Sequence, residues 1–330
     1  MNENASIANM QPKSRWYGRK QVGVMIFCGL LMMLGTCIVG GNTNTVLPVI
    51  SEKFGWDIYF LRSMAGIGAL MVVAGTFVFG TIIKKVGAKL VITVCLFLTA
   101  ACAVAYGFAT NLTVFLCIMF ALGFLSGAYK TSGANTIVAN WWPTKKGIVL
   151  GFVTMGIPLM DITWQPVIPV AFGSIGVGST MLVVAGLIII LAIAGLVFIK
   201  NTPEAAGENP DGDPSISTDK AAVLKAMAEY ISPFTAGKIF KTRATYDIGL
   251  GMGLLFMVAM SYIASIIPRL LSCGYEYPFA IMVLMVCGGG VGIFGSWLIG
   301  FLDQKFGTKR ASLIFCIALL IAFILAFFHS

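Results

Sequence analysis

The sequence predicts an all-α protein that crosses a membrane many times and folds as two related helical bundles. Hydrophobic residues make up 58% of the chain and charged residues 11%, whereas soluble domains carry about 25% charged residues. Long stretches have no charge, such as the one between Lys89 and Lys130, and one membrane helix needs about 20 apolar residues. The chain also repeats itself at a constant offset, which indicates duplicated bundles: Gly29, Pro48, Gly68 and Gly75 recur as Gly249, Pro268, Gly288 and Gly295.

Nine apolar segments follow from these patterns, and we number them in chain order. Segments 1 to 6 cover residues 23–50, 59–83, 89–109, 112–139, 147–171 and 177–199, and segments 7 to 9 cover residues 246–270, 277–301 and 311–328. The domain organisation is then a tail (residues 1–22), a six-helix bundle (23–199), a linker (200–245) and three helices of a second bundle (246–330). Pro, Gly and acidic residues in the linker are typical of a solvated connection.

Basic residues indicate the orientation in the membrane. The N-terminal tail and every second loop carry Lys or Arg, including Lys84, Lys145 and Lys305. Because cytoplasmic loops are enriched in Lys and Arg, we expect a multi-pass protein of the plasma membrane with a cytoplasmic N-terminus. These loops account for the net charge of +9, and no basic cluster with interleaved aromatic residues indicates a nucleic-acid partner. The lipid bilayer is the expected environment.

The residues that metal sites and catalysis need are scarce. Most of the eight cysteines lie inside the segments without a CxxC spacing, and the single histidine is His329, which argues against a histidine-based metal site. A membrane-embedded enzyme would need several convergent polar groups, but the segments carry isolated ones. We therefore expect no enzymatic activity, no catalytic residue, no metal and no cofactor.

Two basic turns occupy equivalent places after segments 2 and 8. Glycines in them permit close approach and positive φ. Their residues are Gly80, Lys85, Gly87 and Lys89 in the first turn and Gly300, Asp303, Lys305 and Gly307 in the second. Both turns resemble the GxLaDRxGRK signature of the major facilitator superfamily, although Lys84 stands where the family has an acidic residue and Asp303 lies one place early. The resemblance implies secondary transport by rocking of two bundles around a midplane site.

A narrower resemblance concerns residues 140–166 and the linker stretch 202–207. Asn140-Trp-Trp-Pro143, followed by Lys145, Lys146 and Gly147, is similar to the connection between the fourth and fifth spans of the oxalate/formate antiporter branch. That branch uses a basic residue in the eighth span to bind a dicarboxylate. Segment 8 contains no Lys, Arg or His, which argues against oxalate as the solute.

Two charges stand out deep inside the segments, where a charge costs about 2.5–3.5 kcal/mol on insertion scales and is a functional hypothesis by default. Lys130 in segment 4 lies about 14 Å from the cytoplasmic edge, and Asp161 in segment 5 lies about 21 Å from it. Because side chains lean toward the N-terminus of their helix, an ion pair is possible. Such a pair either pins two helices or serves transport, with Lys130 binding an anion and Asp161 competing with it or carrying a proton. A third alternative is that the two residues never meet.

Uncharged polar residues complete the candidate solute site. In the superfamily, segments 1, 4, 7 and 10 line the central cavity, so the resemblance implies that polar residues there converge with Lys130. The candidates are Asn42, Asn44, Ser261, Tyr262, Ser265 and, less directly, Gln165. For each of them, a hydrogen bond to a neighbouring helix is the alternative. In segment 8, small residues recur every four positions from Gly288 to Gly300, a spacing typical of closely packed membrane helices.

The expected function is secondary active transport of a small solute, an organic anion, by proton symport or anion exchange. A proton-coupled transporter of a neutral or cationic solute stays open as an alternative, as does a channel or receptor. The repeat also predicts that the counterpart of segment 4 begins near residue 332 and that a full protein has about 420 residues. On this expectation the second bundle is incomplete, and the chain inserts but does not transport, or transports only when another chain supplies the missing C-terminal segment.

Overall fold

A computed structural model of the chain describes residues 18–38, 46–212 and 236–328. Every regular element in these ranges is helical. The first bundle contains α1 (Arg19–Thr36), α2 (Leu47–Phe54), α3 (Ile58–Val86), α4 (Ala88–Phe108), α5 (Leu112–Ser126), α6 (Ala134–Trp141), α7 (Lys146–Thr154) and α8 (Gly156–Phe198). The second part contains α9 (Ala236–Lys241), α10 (Arg243–Ser272), α11 (Tyr277–Val283), α12 (Gly292–Phe306) and α13 (Thr308–Phe328).

Two of the membrane-length helices contain a π-helical stretch. Gly127–Gly133 joins α5 to α6 within segment 4, and Leu284–Val291 joins α11 to α12 within segment 8. A π-helical turn adds a residue to the helical repeat, and such turns are frequent at functional sites. The stretch in segment 4 contains Lys130, one of the two charges deep inside the predicted membrane segments.

Seven helices in the described ranges are long and apolar enough to cross a membrane, which does not confirm the predicted count of nine. The helix Lys146–Phe198 counts once in that number, but at 1.5 Å per residue it would be about 80 Å long, against a bilayer core of about 30 Å. Gly176 interrupts it with a φ of 82°, at the predicted boundary between segments 5 and 6. Helix α1 is not among the seven, and residues 39–45, which belong to predicted segment 1, lie outside the described part of the chain.

The two basic turns have the same backbone geometry, as the repeat predicts. Gly87 ends α3 with φ 89° and ψ 153°, and its repeat partner Gly307 ends α12 with φ 82° and ψ 155°. Each N–H donates to the carbonyl four residues earlier, at 2.8 Å for Gly87 and 2.9 Å for Gly307. Because side chains other than glycine rarely adopt this φ, both glycines are needed to reverse the chain between neighbouring helices.

Glycines also determine how closely the helices of the first bundle pack. In segment 2, Gly75 lies directly against the backbone carbonyl of Phe124 in segment 4, and a methyl group added at Gly127 would lie 2.6 Å from the carbonyl oxygen of Val72. Such contacts replace the hydrophobic effect, which gives no driving force between helices in lipid. Segment 4 is thereby held between segments 1 and 2, which positions Lys130.

The first part of the linker is hydrogen-bonded to several elements of the first bundle. The Asn201 side-chain oxygen accepts from the backbone N–H of Lys89 at 2.7 Å, and the Asn201 carbonyl accepts from Asn140 at 3.1 Å. Lys20 in α1 forms an ion pair with Glu208 at 3.4 Å. The start of α1, the turn after segment 2, the end of segment 4 and the linker therefore share one face of the bundle, which we call the linker face. Its assignment to the cytoplasm stays a prediction.

Asp211 anchors the linker to the start of segment 5. Its side chain is fully buried and accepts hydrogen bonds from the Thr144 N–H at 3.2 Å, the Thr144 hydroxyl at 2.9 Å and the Lys145 N–H at 3.1 Å. These N–H groups directly precede α7, where a negative charge is favoured by the helix dipole. Asp211 has a φ of 56°, a conformation that Asp tolerates better than most residues.

Asp211→Asn is therefore expected to destabilise the first bundle by roughly 1–3 kcal/mol, because it replaces charge-assisted hydrogen bonds in a buried position. Asn also tolerates the left-handed backbone, so the change isolates the carboxylate. The measurement is unfolding of the purified protein in mixed micelles. Glu204→Gln is the matched control on the same linker and is expected to have no effect, and equal stability of both variants would contradict the anchoring role of Asp211.

Candidate functional site

Lys130 lies in the π-helical stretch of segment 4, with its aliphatic stem against segment 1. A methyl group added at Gly35 would lie 2.7 Å from both Cβ and Cδ of Lys130. Gly35 thus leaves the space through which the stem passes. Lys130 is mostly buried, and it takes no part in the ion pairs Lys20–Glu208 and Arg243–Asp247 of the described ranges. The ammonium group of Lys130 therefore has no carboxylate partner there.

Asp161 lies in segment 5, between its own helix and the backbone of segment 8. The Gln165 side chain, one helical turn later, lies beside this carboxylate. A methyl group added at Gly288 would lie 2.9 Å from Asp161 Oδ2, so the carboxylate occupies space that a glycine of the second bundle leaves. Gln165 is 2% exposed, and its Oε1 atom has no hydrogen-bond partner, so it is an unused acceptor beside the carboxylate.

Cys37 connects the surroundings of the two charges. It follows the last residue of α1, is 1% exposed, and lies within electrostatic range of both Asp161 and Lys130. The ion pair between these two residues that the sequence allowed does not form in this conformation. Instead, a cation from segment 4 and a carboxylate from segment 5 lie near one point of segment 1. The predicted site residues Asn42 and Asn44 follow this point and lie outside the described residues.

The candidates from segment 7 make contacts of another kind. The Ser261 hydroxyl donates to the Met257 carbonyl at 2.8 Å, and the Ser265 hydroxyl donates to the Tyr262 carbonyl at 3.0 Å. The Tyr262 ring packs edge-on against Phe323 with 5.7 Å between ring centroids. All three side chains are exposed. Their contact with a solute stays a prediction, while Gln165 is the uncharged candidate that the structure places beside a charge.

Segments 5 and 8 meet through small residues from the linker face up to Asp161. A methyl group at Gly151 would lie 2.8 Å from Gly300 Cα, and one at Gly292 would lie 2.8 Å from Pro158 Cβ. The predicted small-residue face of segment 8 is thus confirmed as a packing surface, with segment 5 as its partner. From Gly147 to Asp161 the contact is about 21 Å long. It closes the space between the two bundles on the side of the linker.

The second basic turn completes this closure at the linker face. The Asp303 carboxylate lies against Gly147 at the start of α7, where its negative charge stabilises the N-terminal end of the helix. The Gln304 side chain donates to the Thr144 carbonyl at 3.4 Å. Lys305 lies over the rings of Phe301 and Phe306, 5.8 Å and 5.3 Å from their centroids. In the first turn, Lys85 is exposed and the Lys89 backbone binds the linker. The two turns therefore have the same backbone conformation but contact different parts of the protein.

Gly35 is expected to tolerate no larger residue, because a methyl group there collides with the near part of the Lys130 side chain. Gly35→Ala should displace the ammonium group and, if Lys130 binds an anion as the sequence predicts, lower the affinity for that anion at least about tenfold, which is about 1.4 kcal/mol. The measurement is calorimetric titration of the purified protein with a carboxylate panel. Gly29→Ala is the matched control in the same helix, since its methyl group would lie 3.6 Å from the nearest atom. Equal binding by both variants would contradict the role of Gly35.

Several residues of this region were not predicted from the sequence. Gly147 and Gly151 show the same four-residue spacing as Gly292 to Gly300, and that spacing was the signal that would have identified them. Gly35 and Cys37 have no such pattern, because their importance comes from what packs against them. In the described ranges, no group of three or more His, Cys, Asp or Glu side chains could hold a metal ion.

Comparison with known proteins adds the family. No curated protein sequence matches the chain at a significant level. The family model described as Major Facilitator Superfamily matches residues 17–330, which is nearly the whole chain and includes both basic turns and both bundles. The all-helical architecture with several membrane-length helices agrees with this match. The chain therefore belongs to the major facilitator superfamily, whose members are multi-pass membrane proteins that act as secondary transporters of small solutes.

Proposed function

We propose that the chain transports a small organic anion and that Lys130 binds the anionic group. The observation that carries the proposal is the lysine inside a membrane segment without an ion pair among the described residues, held over Gly35. A cation without a partner in low dielectric is costly, and a bound carboxylate would offset that cost. Arg or Lys in segment 8, as in the oxalate/formate branch, is absent, so a single cation favours a monoanion over a dicarboxylate.

Asp161 is the proposed proton carrier of the transport cycle. It lies near Cys37 without pairing to Lys130, and its neighbours are Gln165 and the backbone of segment 8 at Gly288. Its protonation would remove a negative charge that competes with the anion for Lys130. A proton and an anion would then bind together, which is symport. Anion exchange without a proton is the second mode compatible with one cationic site.

Alternating access is the proposed mechanism, with the conformation described here closed at the linker face. Separation of segments 5 and 8 would open the site to that face, while closure on the other side would follow from rocking of the two bundles. In this proposal the chain crosses the plasma membrane nine times with its N-terminus and linker in the cytoplasm. The positive-inside distribution of Lys and Arg supports this orientation.

Asp161 also supports a second candidate function, the proton-coupled transport of a neutral or cationic solute. A carboxylate without a cation beside it can bind an amine, whereas Lys130 would then only stabilise the fold. The two candidates differ in which residue is required. Loss of solute binding on neutralisation of Asp161 but not of Lys130 would favour the cationic solute.

The test is uptake of labelled monocarboxylates, dicarboxylates and amines into proteoliposomes, with and without an imposed proton gradient. We expect saturable uptake of a monocarboxylate, accelerated by a gradient that is acidic outside. Uptake of amines alone, or uptake that never saturates, as in a channel, would contradict the proposal.

Asp161→Asn is expected to abolish the acceleration of uptake by the proton gradient while preserving exchange of labelled for unlabelled anion. The reason is that an amide cannot release a proton to drive net movement but leaves Lys130 in place. Glu52→Gln, an exposed acidic residue, is the matched control and should behave as the unmodified protein. Gradient-driven uptake by the Asp161→Asn variant would remove Asp161 from the coupling mechanism.

A further inference from the structure

A groove separates segment 1 from segment 6 on the outer surface of the first bundle. Its volume is about 430 Å³. Phe27 forms its floor and reaches across to Gly195, where a methyl group would lie 2.6 Å from the ring. Leu191 and the exposed side chain of Phe198 form the wall on the side of segment 6. The groove lies on the far side of segment 1 from the site around Lys130, so it is not part of the proposed solute path.

The length of the groove corresponds to one leaflet of a bilayer. It extends along α1 from Arg19 to Leu30, which is about 16 Å at 1.5 Å per residue. Half of a hydrocarbon core of about 30 Å is about 15 Å. The groove therefore starts at the linker face and ends near the bilayer midplane, which is the space that an acyl chain of one leaflet occupies.

The end of the groove at the linker face is positively charged, whereas the rest is apolar. Arg19 and Lys20 line that end. Lys20 is occupied by Glu208 at 3.4 Å and by the Ala206 carbonyl at 2.8 Å. Arg19 is exposed and forms no ion pair in the described ranges. Its guanidinium group is thus available to a phosphate at the depth of lipid headgroups, a geometry that Arg binds well.

We propose that this groove is a binding site for one anionic phospholipid of the leaflet at the linker face. The phosphate binds to Arg19, and an acyl chain lies along Phe27 and Leu30. Trp141, whose indole N–H donates to the Lys200 carbonyl at 3.1 Å, closes the groove beside the headgroup. Charge and apolar length together favour a phospholipid over a soluble anion, since basic pockets between membrane helices bind anionic headgroups.

The test is native mass spectrometry of the purified protein titrated with phosphatidylglycerol or phosphatidylcholine. We expect one phosphatidylglycerol to bind about fivefold more tightly than phosphatidylcholine, the preference that one basic residue at the surface provides. Arg19→Gln should remove this preference. Lys84→Gln, an exposed basic residue at the same face, is the control and should retain it.

A second pair of variants tests the apolar part of the groove. Gly23 lines it, and no atom lies within 4 Å of a methyl group added there. Gly23→Leu should fill the groove and weaken the binding of both lipids at least fivefold. A loss of this size is on the order of the free energy gained by burying one apolar side chain. Gly186→Leu is the control, because Gly186 lies on segment 6 outside the groove and is equally open.

Four results would overturn the proposal. They are equal binding of the two lipids to the unmodified protein, a preserved preference in Arg19→Gln, preserved binding in Gly23→Leu, and an equal loss in both leucine variants. Displacement of phosphatidylglycerol by soluble glycerol phosphate at the same concentration would also contradict it, because the site would then bind a free anion. None of these measurements depends on transport, so their failure is distinct from failure of the proposed function.

Discussion

Lys130→Met is expected to reduce the affinity for an organic anion by about 30-fold or more, the cost of removing one partner from a desolvated ion pair. Methionine keeps the length of the stem that passes Gly35, so the packing of segments 1 and 4 stays intact while the charge is lost. Without the Lys130 ammonium group, the described residues around Asp161 offer the anion no cation to bind. Affinity is measured by calorimetry on the purified protein, and uptake is measured in proteoliposomes.

Lys84→Met is the matched control for this change, because Lys84 is exposed in the turn after segment 2. It should leave both affinity and uptake unchanged. Increased thermal stability of Lys130→Met with unchanged anion binding would mean that Lys130 is not the anion-binding group. That outcome would favour the neutral or cationic solute and would leave Asp161 as the remaining charged candidate.

Gly151→Leu is expected to prevent closure of the linker face. A methyl group at this position already lies 2.8 Å from Gly300 Cα and 3.1 Å from the Ser296 carbonyl oxygen, and backbone atoms cannot move aside as a flexible side chain would. Overpacking costs about 1–3 kcal/mol, which shifts the equilibrium between closed and open conformations by about 5- to 150-fold. The open conformation should then dominate.

Cys37 reports this shift without an added label. It is buried beside the site in the closed conformation, so an impermeant maleimide supplied at the linker face should modify it slowly. In Gly151→Leu we expect its modification, followed by peptide mass spectrometry, to be about tenfold faster. Gly173→Leu is the control, because Gly173 lies two residues beyond segment 5 with no atom within 4 Å of an added methyl group. Unchanged protection of Cys37 in Gly151→Leu would contradict the closure.

Much of the architecture could be predicted because it depends on local patterns. The repeat predicted that Gly87 and Gly307 occupy equivalent turns, and their φ and ψ angles agree closely. The spacing of small residues predicted the packing face of segment 8. The charge-free stretches also predicted the boundary near Gly176, although the helix there is nearly continuous. Composition and spacing are sufficient for these features, since each depends on one segment and the bilayer.

The relation between Lys130 and Asp161 could not be predicted in the same way. Their depths follow from residue counts, but whether two side chains meet depends also on the direction in which each leaves its helix axis. The π-helical stretch Gly127–Gly133 alters that direction for Lys130, and the apolar periodicity gives no sign of it. The anchoring of Asp211 to Thr144 and Lys145 also could not be predicted from the sequence, because it depends on where the linker folds back onto the first bundle.

The contact between segments 5 and 8 has a consequence for the reversibility of its closure. Glycine has no side-chain rotamers to lose, whereas burial of a long side chain costs up to about 2 kcal/mol of conformational entropy. Closing the linker face at Gly147, Gly151 and Gly300 therefore costs little side-chain conformational entropy, and opening it regains little. The free-energy difference between the two conformations can then stay small enough for a single bound solute to reverse it.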